Sequence, residues 1–391
     1  MNLVFFDPAQ SSGLLPLTYT RPVAELRVGG LTIAQKWSKR LGGQESWLTK
    51  EYLQPIYPFR FTTDNLFING EVIPNNSLAT EVAGLELGHG LRDEQGSIAW
   101  RSGQWSSDLM PGEIHWHDVA TSVKRLKNSY DIFSLNADEI HADFELLTRN
   151  EISSDLPKTV QCLDSSKVFV APGAALEHCT LNTSDGPIYI GAGAKIMDGA
   201  LLRGPLFIGD HAVIKMGAKI YGGTTIGPYC KAGGEINNSV MMGYSNKGHD
   251  GFLGNSVLGY WCNLGADTNT SNLKNNYDEV RLWDYTSERF AHTGLQFCGL
   301  IMGDHSKCAI NTAFNTGTVV GVSANVFGAG FPKNFIPSFS WGGAGSTITY
   351  SLNKATETAK RVMQRRGMEW TPQDQSVFEA IFEASKSWRR D

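Results

Sequence analysis

Every sixth residue from Ile190 onward is apolar: Ile190, Ile196, Leu202, Ile208, Ile214, Ile220, Ile226 and Ala232. A spacing of six fits neither the 3.6 period of a helix nor the simple alternation of a strand. It fits a chain laid down in coils of short flat faces, six residues to a face, with one aliphatic per face turned inward. That is the pattern of a hexapeptide β-helix, a solenoid whose coils bury one continuous stack of side chains. Gly191, Gly209 and Gly227 follow the aliphatic directly. They suit tight corners where a Cβ would crowd the backbone.

The frame can be followed along the chain. It starts near residue 158, loosely at first with Val170 and Leu176, and locks in at Ile190. After Ala232 it slips by two residues. It is expected to resume at Val240, with Phe252, Leu258 and Leu264 at later hexads and an asparagine, not an aliphatic, at 246. A slip of this kind marks a bulge or inserted loop, a frequent place for function. A second interruption covers 268–293. It is polar and rich in asparagine, then carries Trp283, Tyr285 and Phe290. A loop of that length is expected to be functional. The hexad returns as Met302, Cys308, Phe314, Val320 and Val326, and ends near Gly330 and Pro332. The tail reads as two helices, over 352–366 and 371–390. Thr371 and Pro372 give the second a cap and a first-turn proline. Val377, Ile381, Ala384 and Trp388 form its apolar face, widened by Phe378 and Phe382. Such helices are expected to cap the open end of the solenoid.

The first 157 residues lack the hexad. A buried-type strand at 3–6, a helix-like stretch at 31–41 and a strand at 65–69 ending in Gly70 suggest an α/β unit. The stretch from Trp100 to Trp116 has no clear assignment. A helix is expected at 137–147, packed on the N-terminal unit, and Pro157 is a reasonable boundary. Three regions follow: 1–157, an α/β domain; 158–345, the β-helix; and 346–391, a helical cap.

A chain of 391 residues is long enough for two or three such units. The net charge of −5 leaves no basic footprint for nucleic acid. No run approaches the ~18 apolar residues of a membrane span, and the short apolar start is a first strand, not a signal peptide. The six cysteines form no CxxC pair and no cluster with histidine. They are expected to be buried small hydrophobes in a reducing, cytoplasmic compartment.

Two segments carry resemblances. The segment from Leu15 through Arg21-Pro22 and Val28-Gly29 to Ile33 resembles the start of sugar-phosphate nucleotidyltransferases. Asn69-Gly70-Glu71 with Pro74 is similar to that family's Asn-Gly-Asp segment. The resemblance implies that Arg21 stands at the family's basic position and Glu71 where an acidic group helps hold magnesium. The family's glycine-rich phosphate loop is replaced by residues 7–13, with one glycine and a proline that lacks an N–H. This describes a truncated or degenerate nucleotidyltransferase domain. The second segment runs from Gly243 to Gly254 and concentrates Asn246, Lys247, His249 and Asp250 between glycines. With Asn263-Leu-Gly-Ala266 and Asn272 beyond it, it resembles the acetyltransferase domain of the bifunctional N-acetylglucosamine-1-phosphate uridylyltransferase/glucosamine-1-phosphate acetyltransferase family.

That resemblance implies a left-handed β-helix with His249 as catalytic base. It implies Lys215, Asn246, Lys247, Asn263 and Asn272 as substrate-binding residues, and Ala266 and Gly328 at the acetyl-CoA site. Lys215 stands where the family has an arginine, keeping the charge without the bidentate fork. Phe252 and Leu273 replace tyrosines, and Asn237 replaces a lysine. The family also implies a homotrimer, with the 268–293 loop reaching over a neighbour's site. The expected activity is acetyl transfer from acetyl-CoA to the amine of an amino-sugar phosphate. A metal is not needed for that step; magnesium would serve only nucleotidyl transfer in the front domain. Two alternatives stay open: a sugar-1-phosphate nucleotidyltransferase whose β-helix only trimerises and regulates, and a non-catalytic sugar-nucleotide-binding module.

Overall fold

A computed structural model describes residues 1–9, 11–104 and 114–389, in two compact units. The first comprises Met1–Leu14, Thr20–Leu26 and Leu31–Lys127. Its sheet runs in the order Gln44–Leu48, Asn2–Phe6, Asn65–Asn69, Gly96–Ser102, His89–Asp93 and His115–Asp118. The first three strands are mutually parallel; Gly96–Ser102 is antiparallel to both of its neighbours. Helix α1 (Ile33–Leu41) starts at a capping box in which Thr32 and Gln35 satisfy each other's backbone N–H groups. It seats Trp37 inside, where the indole N–H donates to the Val72 carbonyl at 2.9 Å. Helix α2 (Asn76–Ala83) is capped by Asn75. The unassigned stretch after Trp100 contains strand His115–Asp118; residues 105–113 lie outside the described residues.

The second unit comprises Leu15–Tyr19, Arg27–Gly30 and Asn128–Asp391. It is a parallel β-helix. Among the described residues its three long sheets have six, nine and ten strands. Each coil up to Phe252–Gly254 passes from the nine-stranded sheet to the ten-stranded and then the six-stranded one. Ile188–Ile190, Lys195–Ile196 and Leu201–Arg203 form one such coil. All eight positions of the opening series are buried in one core. The described cysteines are all unpaired thiols, five of them buried.

The frame beyond Ala232 departs from expectation. Backbone register places Ile236 over Ile220, Met241 over Ile226, Lys247 over Ala232 and Leu253 over Ile236. The inward residues are therefore Ile236, Met241, Lys247, Leu253, Leu258 and Leu264. Val240 and Phe252 alternate to the other side of their strands. The chain has lost two residues between Ala232 and Ile236 and one more before Met241. The slip is thus a pair of shortened corners, with no insertion.

Two further placements differ from expectation. Helix α3 (Asp131–Thr148) contains the expected 137–147 helix but belongs to the β-helix unit. Its Asn136 and Asp143 accept the backbone N–H groups of Gly29 and Gly30 at 2.7 and 2.8 Å, and Asn136 also donates to the Gly223 carbonyl at 2.7 Å. The Val28-Gly29 segment is therefore tied to the solenoid. The second interruption leaves the coil after Asn269–Thr270 and rejoins it at Leu300–Met302. It forms a hairpin, Arg281–Asp284 with Arg289–His292. Trp283 stacks on Phe335 at 4.2 Å, and Tyr285 meets Trp388 edge-on at 5.0 Å.

The tail helices, α4 (Leu352–Gln364) and α5 (Pro372–Ala384), lie along one corner of the coils. Along that corner His211, Tyr229, Tyr244, Trp261 and His305 stack ring on ring. Trp370 and Phe378 meet His305 edge-on, and Arg366 reaches back to Asn246 and Tyr229. Aromatic rings at left-handed corner positions supply an apolar ridge onto which an amphipathic helix can dock.

Candidate functional site

The shortened corner makes a notch. In the coil below, Lys215 and Met216 turn this corner at normal length. In the next, Gly233 and Gly234 cut across it. In the third, residues 248–251 project past it, and Ala266 and Asp267 follow in the fourth. All of these except Gly251 line a cleft of about 440 Å³. Glycines are required at its floor. A Cβ on Gly233 would lie 2.8 Å from the Gly248 carbonyl oxygen, and one on Gly234 (φ +71°) 2.7 Å from that of Gly251. Gly251 (φ +106°) holds the turn from the other side, where a Cβ would sit 2.2 Å from the Thr268 carbonyl oxygen.

His249 stands exposed at the lip, its ring without a hydrogen-bond partner among the described residues. Lys215 is half-buried below it, and Ala266 half-buried above. Gly328 belongs to the same corner. Leu264 pairs with Cys308 and Cys308 with Val326, so Ala266, Ile310 and Gly328 stand in one column with His249. Three coil steps at a strand spacing near 4.8 Å put Gly328 about 14 Å along the axis from His249. Met216 and Ile310, 66% and 68% exposed, add an apolar edge to the corner.

Four expected site residues lie elsewhere. Lys247 is 1% exposed, at an inward core position, because the lost residues move the register by one from the expected frame. It cannot present its ammonium to a sugar phosphate. Asn246 and Asn263 lie on the outward face of the ten-stranded sheet. The Asn246 amide donates to Asn263 at 3.2 Å, and its oxygen accepts from Arg366 at 2.9 Å. Asn272 belongs to another corner, where its amide donates to Asn255 at 2.8 Å, part of a structural asparagine ladder. Sequence reasoning missed Met216 and Asp267 as cleft residues, and singled out Asp250 without giving it a role. The signal for Asp267 was its place one coil beyond Asp250, visible only in the corrected register.

A larger cleft of about 900 Å³ lies where the hairpin, the last coils and the chain's end converge, walled by Trp283, Phe335 and Trp388 with Arg281 and Lys333. None of the sequence-predicted site residues lines it.

In the front unit Arg21 and Glu71 are both buried, 6% exposed each. Glu71 follows strand Asn65–Asn69, and Asp7 follows Asn2–Phe6 beside it, so both lie at the carboxyl ends of parallel strands, where α/β sheets place ligand sites. The Asp7 carboxylate accepts the Val23 N–H at 2.7 Å and the Thr49 hydroxyl at 2.5 Å. Burial raises its pKa despite those bonds and the nearby Lys50 ammonium, and burial lowers that of Lys50. Magnesium is usually held by one or two carboxylates plus substrate phosphates. Glu71 is enclosed, and the described residues hold no group of three acidic, histidine or cysteine side chains able to take an ion.

Comparison with known proteins follows this layout. Residues 3–152 match the family model described as sugar nucleotidyl transferase. The matched stretch covers the front of the chain and stops short of the regular coils of the β-helix. The bifunctional protein GlmU of Methanocaldococcus jannaschii is 32% identical over 87 residues, 22% of this chain and 21% of that protein. GlmU of Methanococcus aeolicus is 28% identical over 127 residues, 32% of this chain and 26% of its own. Each match spans about a quarter or less of the relative's length. Among solved structures, the polySia-specific acetyltransferase NeuO aligns at TM-score 0.27 and 12% identity, over 49% of this chain and 81% of that one. AntD, an N-acyltransferase from Bacillus cereus, aligns at TM-score 0.23 and 14% identity, over 55% and 100%.

Proposed function

We propose that the β-helix unit transfers an acetyl group from acetyl-CoA to the amine of an amino-sugar phosphate, with His249 as general base. One observation carries the reading: the notch gathers an unpartnered histidine, a lysine and a glycine-floored cleft at one corner. An amine attacks a thioester only when neutral. A neutral imidazole at the lip can take its proton as the C–N bond forms, and the CoA thiolate leaves. Lys215, on the opposite side of the cleft, supplies charge for the sugar phosphate. Ala266, Ile310 and Gly328 give an elongated co-substrate a straight path along the corner. The exposed Met216 and Ile310 also support a homotrimer packed corner to face.

The test is thiol release from acetyl-CoA with glucosamine 1-phosphate. His249→Ala should lower kcat by about 10²- to 10⁴-fold with the fold intact by circular dichroism. Undiminished release would remove His249 from the chemistry. The match of residues 3–152 favours a second activity in the front unit, nucleotidyl transfer at the carboxyl edge of its parallel strands. Pyrophosphate release from a nucleoside triphosphate and a sugar 1-phosphate, with magnesium, tests it separately.

A further inference from the structure

The inward column at the site's edge of the ten-stranded sheet reads Ile196, Ile214, Ala232, Lys247, Leu264, Cys308 and Val326. Six members are apolar. The lysine is as buried as they are, and the residue directly beneath it, Ala232, is small enough to leave room for its chain. A buried ammonium costs several kcal/mol unless it is well bonded, so the partners of this one are informative. Its Nζ donates to three main-chain carbonyls: His249 at 2.5 Å, Asp250 at 2.9 Å and Gly233 at 3.3 Å. None of the three accepts a backbone N–H among the described residues. Two belong to the turn that displays His249, and the third to the shortened coil beneath it.

We propose that Lys247 is a positioning residue, an internal ammonium that ties the His249 turn to the shortened coil and fixes where the imidazole stands. The shortened corner leaves inward-facing carbonyls without ladder partners. An aliphatic at 247 would fill the core but leave them unsatisfied. The lysine does both, with its stem in the stack and its head on the carbonyls. The carboxylates of Asp250 and Asp267 lie close enough to favour its charge. The consequence for acyl transfer rests on the reading of His249 as base; the consequence for the turn does not.

Lys247→Met keeps length and volume and removes the three bonds. The expected result is a folded β-helix in which amide hydrogen exchange at 248–251 speeds up by at least about tenfold while the neighbouring coils are unchanged. In the thiol assay kcat should fall by about tenfold or more, because small misplacements of a reacting group are costly, while KM for acetyl-CoA moves by less than about twofold. Lys247→Leu, which restores the aliphatic of the column, is the second variant and should behave alike. Exchange at 248–251 equal to wild type would overturn the proposal whatever the activity. So would loss of the whole fold in both variants, since Lys247 would then be a general stability residue. A wild-type protein that releases no thiol, with exchange at the turn still dependent on Lys247, would sink the His249 reading and leave this one standing.

Discussion

The buried lysine makes stability depend on pH in a direction that can be worked out. Burial pushes the Lys247 ammonium from an ordinary 10.5 down to about 8, against the pull of Asp250 and Asp267. The unfolded chain holds that proton up to pH 10.5; the folded chain gives it up near pH 8. Between those values the unfolded state binds more protons, so raising the pH favours the folded state. The drop from 10.5 to about 8, at about 1.4 kcal/mol per pKa unit, makes the contribution about 3 kcal/mol. It is absent below pH 8 and almost complete by pH 10.5. Lys307 is displaced in the same way, also to about 8 by burial. It is present in wild type and Lys247→Met alike and cancels in their difference. Chemical denaturation of both proteins at pH 7, 8, 9 and 10 should therefore show the wild-type advantage widening with pH by about 3 kcal/mol in all. Parallel curves would refute the reasoning, because they would mean that Lys247 keeps its proton equally in both states.

Two other perturbations separate space from strain and hairpin from coil. Gly217 and Gly251 both have positive φ, but a Cβ on Gly217 meets nothing within 4 Å, whereas one on Gly251 meets the Thr268 backbone. Gly217→Ala should cost about 1 kcal/mol and Gly251→Ala about 2–4 kcal/mol by chemical denaturation, and equal costs would show that the close approach is relieved by movement. Trp283→Ala removes the stack on Phe335 and the edge contact with Phe290, at about 0.5–1.5 kcal/mol each beyond area burial. Limited proteolysis should then cut between residues 271 and 299 faster than in wild type, and an unchanged pattern would mean that the hairpin is held by other contacts.

How much of this was legible from residues alone depends on whether the period was intact. From Ile190 to Ala232 every arm has six residues, and all eight expected positions are inward. The two tail helices were equally plain, because amphipathic spacing and the Thr371 cap are local. Their docking along a ladder of rings was not, because helical periodicity identifies an apolar face without saying what covers it. The same holds for α3, whose apolar residues gave no sign that its Asn136 and Asp143 bind the Gly29 and Gly30 backbone.

The site itself hinged on one misread register. The slip was read as a bulge or inserted loop, and a restart at Val240 assumed that whole arms resume after a break. Shortened corners removed three residues at two adjacent steps, and that moved the inward position from 246 to 247. The clue lies in the positions where the two frames differ: Met241 and Leu253 are as apolar as Val240 and Phe252 and leave no asparagine inward. What hid it was Lys247, since a charged residue at an inward position argues against any register that puts it there. That objection fails when the register itself creates the lysine's partners. Shortening the corner exposes the carbonyls of Gly233, His249 and Asp250 to the interior, and the ammonium satisfies them. The irregular corner, the buried charge and the displayed histidine are thus one feature, and a sequence reading that treats them as separate residues assigns each of them a surface role.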